Sequence, residues 1–193
     1  MRLLSLGFTS IYVAGLLLTA CSAPLSGDTV MPVTRLANPT STATATAPLN
    51  LSPLLAFEQA MLSAVNTARA KGRQCGARSM PAVAGLTWNA QLQQAAFTHS
   101  NNMAKDNFFS HSGLDGKGVS QRVSDQGYHW RAVGENISAG LSAVATVMAG
   151  WLSSPGHCAN IMSADFTEMA AARVTNNSAY YGSYWTQVFA ASL

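Results

Sequence analysis

Two histidines and one glutamate stand where side-chain chemistry could be done. His157 follows Ser153-Ser154-Pro155-Gly156 and precedes Cys158, so a titratable ring lies near the start of a short helix beside a thiol. His111 lies in Ser110-His111-Ser112-Gly113, a turn that can present a side chain to a cleft. Glu135 lies in Gly134-Glu135-Asn136-Ile137 as a lone acid in a mostly apolar stretch, either solvent-facing or paired. Two imidazoles and a carboxylate around an open position are a familiar set for catalytic zinc. His111, Glu135 and His157 come from separate segments, however, and nothing like a compact H-E-x-x-H helix assembles them. A hydrolytic dyad would pair Ser110, Ser112 or Ser154 with His111 or His157, although no G-x-S-x-G elbow occurs. A water activated between His111 and Glu135 is equally writable. The bland alternative is a buried polar network that fixes loops, with Asn136 and Asn160 as pins on backbone groups. His99 reads as a hydrogen-bonded core histidine, His129 as surface or packing, and Glu168 as an exposed strand residue.

The elements that must position these residues follow from period and punctuation. Ser52-Pro53 is an N-cap with a first-turn proline, and Leu54, Phe57, Met61, Leu62, Val65 and Ala68 follow at helical spacing. Lys71-Gly72 closes that helix. Residues 73–87 show no period and read as a loop. A second helix over about 89–105 places Leu92, Ala95, Ala96, His99 and Met103 on one face and breaks at Asp106-Asn107. A short helix over 119–126 is closed by Gly127, and residues 132–138 read as extended or irregular. Residues 142–152 are helical. A Ser153 or Ser154 hydroxyl is then expected to cap the helix that Pro155 opens. Residues 166–174 and 180–189 read as antiparallel strands around the Asn176-Asn177-Ser178 turn. In the second strand Tyr184, Thr186 and Val188 alternate with Trp185, Gln187 and Phe189. Helices packed on the faces of a sheet make this an α+β domain. Residues 108–113, 134–137, 151–162 and 184–189 are expected to line one cleft.

The chain has 193 residues, room for one core and a tail. Only 10% are charged, and the net charge of +3 includes no Lys/Arg cluster, so nucleic-acid binding has no support. Arg2, the apolar run over 11–18 and Leu18-Thr19-Ala20-Cys21 read as a lipoprotein signal over 1–20. Cleavage is expected before Cys21, with lipid on its sulfur and amine; an ordinary signal peptide with an incidental cysteine is the alternative. Several acyl chains would hold the protein on a membrane face. Ser22 in place of aspartate suggests outer-membrane sorting if the cell is Gram-negative. Residues 21–52, including T-S-T-A-T-A-T-A-P, read as a flexible tether, leaving 53–193 as the domain, expected to be monomeric. With Cys21 lipidated, Cys75 and Cys158 remain as a pair for an oxidising compartment. Their disulfide would close a loop of about 80 residues and contribute about 4 kcal/mol by chain entropy. The other reading makes Cys158 a nucleophile, although adjacent helical residues do not face each other.

H-S-G (111–113), G-E-N-I (134–137), W-L-S-S-P-G-H-C-A-N-I-M (151–162) and W-T-Q-V-F (185–189) occur in that order. With them, residues 53–193 resemble the CAP superfamily (cysteine-rich secretory proteins, antigen 5, pathogenesis-related 1) in its compact bacterial form. The resemblance implies an α-β-α sandwich with a central, mainly antiparallel sheet and one open groove. Many eukaryotic members carry two His and two Glu there, and some bind a divalent metal. His111 matches the first His and Glu135 the first Glu. Ser154 stands at the second Glu and Tyr184 at the second His, so half of that tetrad is absent. His157 belongs to the bacterial Ser-Pro-Gly-His pattern and can refill the cleft. No cofactor is required; zinc on His111, Glu135 and His157 is the optional one. The expected function is binding of a lipid or cell-envelope component at an exported, lipid-anchored domain. His111, Glu135, Asn136, Tyr184 and Gln187 would form the polar floor. A hydrolase acting on envelope material, with or without metal, is the rival, and a structural module the third reading.

Overall fold

The computed structural model describes residues 53–193. The signal, Cys21 and the 21–52 tether lie outside the described residues. Helix α1 (Pro53–Arg69) leads into a hairpin of β1 (Arg73–Cys75) and β2 (Arg78–Met80), then β3 (Thr87–Trp88) and α2 (Ala90–Asp106). The chain continues through α3 (Val119–Asp125), β4 (Trp130–Ala139), α4 (Val144–Ser153) and α5 (Pro155–Met162), and closes with β5 (Glu168–Thr175) and β6 (Ser183–Ser192). The main sheet has the order β3-β5-β6-β4, with β3 parallel to β5 and the other pairs antiparallel. The expected mainly antiparallel sheet is thus present, with helices on both of its faces.

The pleat sorts β6 between those layers. Trp185 and Phe189 join Met61 and Val65 of α1, Val147 and Trp151 of α4, and Ile161 of α5 in one core. Val188 and Ala190 face Leu92, Ala95 and Ala96 of α2 in a second, and Tyr184 faces Met103 in a third. Small residues on both sides, Ala170 and Ala172 against Ala95 and Ala96, let α2 lie close to the sheet. Asn89 caps α2 by accepting from the Gln91 and Leu92 amides. Asn107 ends it in the left-handed region at φ 51°.

Several expectations are corrected. The 73–87 loop contains the β1–β2 hairpin and β3, strands of two or three residues, too short to carry a period. The 132–138 segment is the centre of a ten-residue strand paired along β6. Its alternation is blurred because both faces are covered and Gly134 lies under the Phe166 ring. Strand β6 starts later than expected because the turn runs on to Gly182, at φ 70°, and β5 begins at Glu168 rather than Phe166. At α5 neither serine hydroxyl caps: Ser154 makes no side-chain cap bond, and Ser153 Oγ donates to the Gly150 carbonyl. Pro155 opens the helix as expected.

Two ties hold α5 in place. Cys75 is disulfide-bonded to Cys158, with 5.4 Å between their Cα atoms, which rules out Cys158 as a free nucleophile. Arg69 is 1% exposed, and its guanidinium donates to the carbonyls of Ala84, Ile161 and Ser163 at 2.7–2.8 Å. These include carbonyls at the C-terminal end of α5 that its own amides cannot satisfy. Burial lowers the pKa of that guanidinium from its ordinary value.

Candidate functional site

Glu135 stands on β4, an edge strand, and its side chain is 3% exposed. One carboxylate oxygen accepts from Arg122 of α3 at 2.6 Å. The other accepts from His111 Nδ1 at 2.8 Å, in the loop between α2 and α3. A buried carboxylate must be paired and hydrogen-bonded, and this one has a cation on one side and an imidazole on the other. The His111 side chain, by contrast, is 57% exposed. Because the carboxylate can only accept, Nδ1 carries the proton, and Nε2 of the neutral ring is the acceptor.

The loop that presents His111 is held from beneath. His99, fully buried on α2, donates Nε2–H to the Ser110 carbonyl at 2.8 Å, while its Nδ1 is buried without a partner. Burial lowers the His99 pKa, helped by Arg122 and His111 and opposed by Glu135 and the Ser110 carbonyl. His99 is thus the core histidine that its helical position indicates, with an added role as a support for the site. A cavity of about 110 Å³, lined in part by His99, Lys117 and Arg122, lies against the network.

His157 reaches the same strand from the other layer. Its carbonyl accepts from Asn136 Nδ2 at 3.2 Å. Asn160 donates to the Glu135 carbonyl at 3.0 Å and to Asn136 Oδ1 at 2.9 Å. The outer edge of β4 is therefore bound to α5 through two amide side chains. The His157 ring is partly buried, and both desolvation and the positive charge His111 acquires on protonation lower its pKa.

The other expected floor residues are elsewhere. Asn136 and Gln187 are both 0% exposed and bond to each other at 3.0 Å on the α1/α4/α5 face, opposite to Glu135. They are a buried pair rather than groove floor, since adjacent strand residues point to opposite faces. Tyr184 shares the face of Glu135 but is fully buried, its hydroxyl donating to Asn107 Oδ1 at 3.2 Å. Among the described residues, no three His, Cys, Asp or Glu side chains are grouped to hold a metal ion. Of the three residues read as optional zinc ligands, His111 and Glu135 are hydrogen-bonded to each other, and the Arg122 guanidinium takes the other Glu135 oxygen. Ser110 Oγ accepts from the Ser112 amide at 3.1 Å and makes a turn rather than a dyad. Glu168 is partly buried, accepting from Asn89 Nδ2 at 2.9 Å and from the Tyr128 hydroxyl. Arg122 was the site residue hidden from sequence reading. Its signal was a lone cation beside Val123 in a short helix of a charge-poor chain. A groove of about 790 Å³ between Phe57 of α1 and Phe97 of α2 lies away from His111.

Residues 62–189 match the cysteine-rich secretory protein family, CAP. The uncharacterized membrane protein YlbC of Bacillus subtilis is 29% identical over 87 residues, 45% of this chain and 25% of that protein. The uncharacterized protein YkwD of the same organism is 30% identical over 98 residues, 51% of this chain and 36% of that protein. The chain thus spans between 25% and 36% of the length of these curated relatives. Among solved structures, an extracellular protein containing a SCP domain from Bacillus anthracis is 25% identical at a TM-score of 0.57, covering 72% of this chain and 44% of that one. An outer surface protein from Borrelia burgdorferi is 17% identical at a TM-score of 0.53, covering 57% of this chain and 80% of that one, a likeness of fold alone.

Proposed function

The chain belongs to the cysteine-rich secretory protein (CAP) family, and from that premise we propose that it is an exported binding protein of the cell envelope whose ligand meets His111. The observation that carries this reading is the contrast within one hydrogen-bonded chain: Arg122 and Glu135 buried, His111 at its end open to solvent. A network serving the fold alone has no need to expose its last member. Here a buried ion pair orients an outward imidazole that can bond a hydroxyl, amide or carboxyl group of a ligand. Export is supported by the lipobox-like Leu18-Thr19-Ala20-Cys21, by the Cys75–Cys158 disulfide and by the extracellular Bacillus anthracis relative. In this reading Cys21 carries lipid, residues 21–52 are the tether and 53–193 form the working domain.

Hydrolysis is the second reading, favoured by one feature. An imidazole held by a carboxylate at Nδ1 is the base-and-orienter pair of acyl-transfer enzymes. Its Nε2 would take a proton from an attacking water, since among the described residues no serine hydroxyl is hydrogen-bonded to the ring.

The test is titration of the full-length chain with soluble peptidoglycan fragments and with a long-chain fatty acid, beside His111→Ala. We expect saturable binding of one probe that weakens at least about tenfold in the variant, a loss of about 1.4 kcal/mol, with an unchanged unfolding midpoint. An unfolding midpoint that drops while binding stays the same would leave the network a purely structural device. Release of new reducing ends or amines from the fragments, abolished in Glu135→Gln, would move the protein to the hydrolases.

A further inference from the structure

The turn between β5 and β6 carries an aromatic surface that the packing of the domain uses only in part, through Tyr181 against the buried Tyr184 at 5.9 Å. Tyr180 is 82% exposed and Tyr181 is 44% exposed. Their rings meet edge to face at 4.8 Å, and Tyr181 meets Phe109 at 5.7 Å. Phe109, itself 43% exposed, stands two residues before His111. The rings therefore form one patch, joined through Phe109 to the loop that carries His111. A contiguous exposed aromatic patch on a folded domain marks an interaction site.

This turn is rigidly built. Asn107 takes up a left-handed conformation at φ 51°, a strained choice for a residue other than glycine. In that pose its side-chain oxygen accepts from the Tyr180 amide at 2.7 Å and from the Tyr184 hydroxyl at 3.2 Å. Asn176 donates to the Ala104 carbonyl at 2.8 Å and accepts from the Ser178 amide at 3.0 Å. Its amide also bonds the Gly182 carbonyl at 3.0 Å. The end of α2 and the turn are thus clamped together, and the rings are held outward before any partner arrives. Preorganisation of this kind removes an ordering cost from binding.

The chemistry of the surface narrows the partner. From Asn176 to Ser183 the sequence is N-N-S-A-Y-Y-G-S, without a charge. An anionic membrane surface is met by Lys and Arg, which this turn lacks. It offers ring faces, phenol hydroxyls and the amide of Asn177. Aromatic faces carry the negative part of the ring quadrupole and attract the polarised C–H face of a pyranose ring, while hydroxyls and amides serve sugar hydroxyl and acetamido groups. Tyrosine supplies this contact with only two torsions to fix.

We propose that Phe109, Tyr180 and Tyr181 are a stacking platform for an uncharged N-acetylhexosamine glycan. The platform deepens the envelope-binding reading and rests on it only for the direction in which the glycan runs, toward His111.

The test is cosedimentation of the full-length chain with insoluble chitin, a polymer of N-acetylglucosamine, and with purified peptidoglycan sacculi. The wild type is retained on chitin. Tyr180→Ala, which removes a ring that is mostly in water, reduces retention about fivefold without moving the unfolding midpoint, and Tyr180→Phe restores it. Tyr180→Ala combined with Tyr181→Ala loses about tenfold or more. His111→Ala is read only in the fragment titration, so a cleft that fails there leaves retention on chitin, read by the Tyr180 variants, as a separate result. Passage of the wild type through both polymers, or equal retention of Tyr180→Ala, overturns the proposal. It is also overturned if Tyr180→Ala abolishes binding to phosphatidylglycerol vesicles or self-association of the chain while leaving retention on chitin intact.

Discussion

At the scale of single residues, the site depends on what surrounds Glu135. Its carboxylate is buried between Arg122 and His111, so removing the guanidinium leaves a buried charge with only an imidazole to balance it. Arg122→Met is expected to cost about 3–5 kcal/mol, measured by denaturant unfolding. A cost under about 1 kcal/mol would show that the pair is far better solvated than its burial indicates. The histidines set a pH dependence. His99 and His157 both have pKa values lowered from the ordinary 6.5, chiefly by desolvation. The unfolded chain therefore binds more protons than the folded one just below pH 6.5, and stability rises with pH through that window. The unfolding midpoint should fall as pH is lowered from 7.5 to 5.5. His99→Gln, which keeps a donor for the Ser110 carbonyl but cannot titrate there, should flatten that fall. An identical slope in the variant would place the linkage on other groups.

At the scale of elements, α5 brings His157 to the β4 edge, and its position depends on contacts distant in sequence. Arg69, the last residue of α1, fills the carbonyl-lined end of α5. Arg69→Ala leaves at least two buried carbonyls unpaired and should destabilise the fold by about 3 kcal/mol or more. Arg69→Lys, with a single donor head, should recover only part of that loss. The β1–β2 hairpin packs against the other end of the helix. Gly76 sits at φ 62°, and a Cβ there would lie 2.9 Å from the Pro155 ring. Gly76→Ala is thus disfavoured by both backbone and contact, and an unfolding midpoint lowered by several degrees is the expected result. A neutral Gly76→Ala would mean that hairpin and helix can separate without consequence.

At the scale of the whole molecule, the helices and the sandwich were legible because period, caps and four ordered motifs agree with one another. The three shortest strands were not, because two or three residues carry no pattern. The site was legible in part. His111 and Glu135 stand in the motifs that pointed to them, and they touch. Asn136 and Gln187 were placed on the wrong side, although strand alternation already forbids Glu135 and Asn136 from sharing a floor. Arg122 and Arg69 were invisible for a different reason: an isolated arginine does not reveal which carboxylate or carbonyls the tertiary fold will bring to it.

The bond between Cys75 and Cys158 joins residues 83 apart and fastens the hairpin to the residue after His157. Removing it as a Cys75→Ser, Cys158→Ser pair should cost about 4 kcal/mol, read as a drop in unfolding midpoint that reducing agent does not deepen further. The bond also sets a time. Until an oxidant reaches these thiols, α5 and His157 are held by Arg69, by the Asn136 and Asn160 amides and by packing, while the His111–Glu135 pair needs no such step. A chain whose thiols are still reduced therefore holds His157 less firmly than His111, and the firmness of α5 becomes a matter of the redox state around the chain rather than of how long it has had to fold.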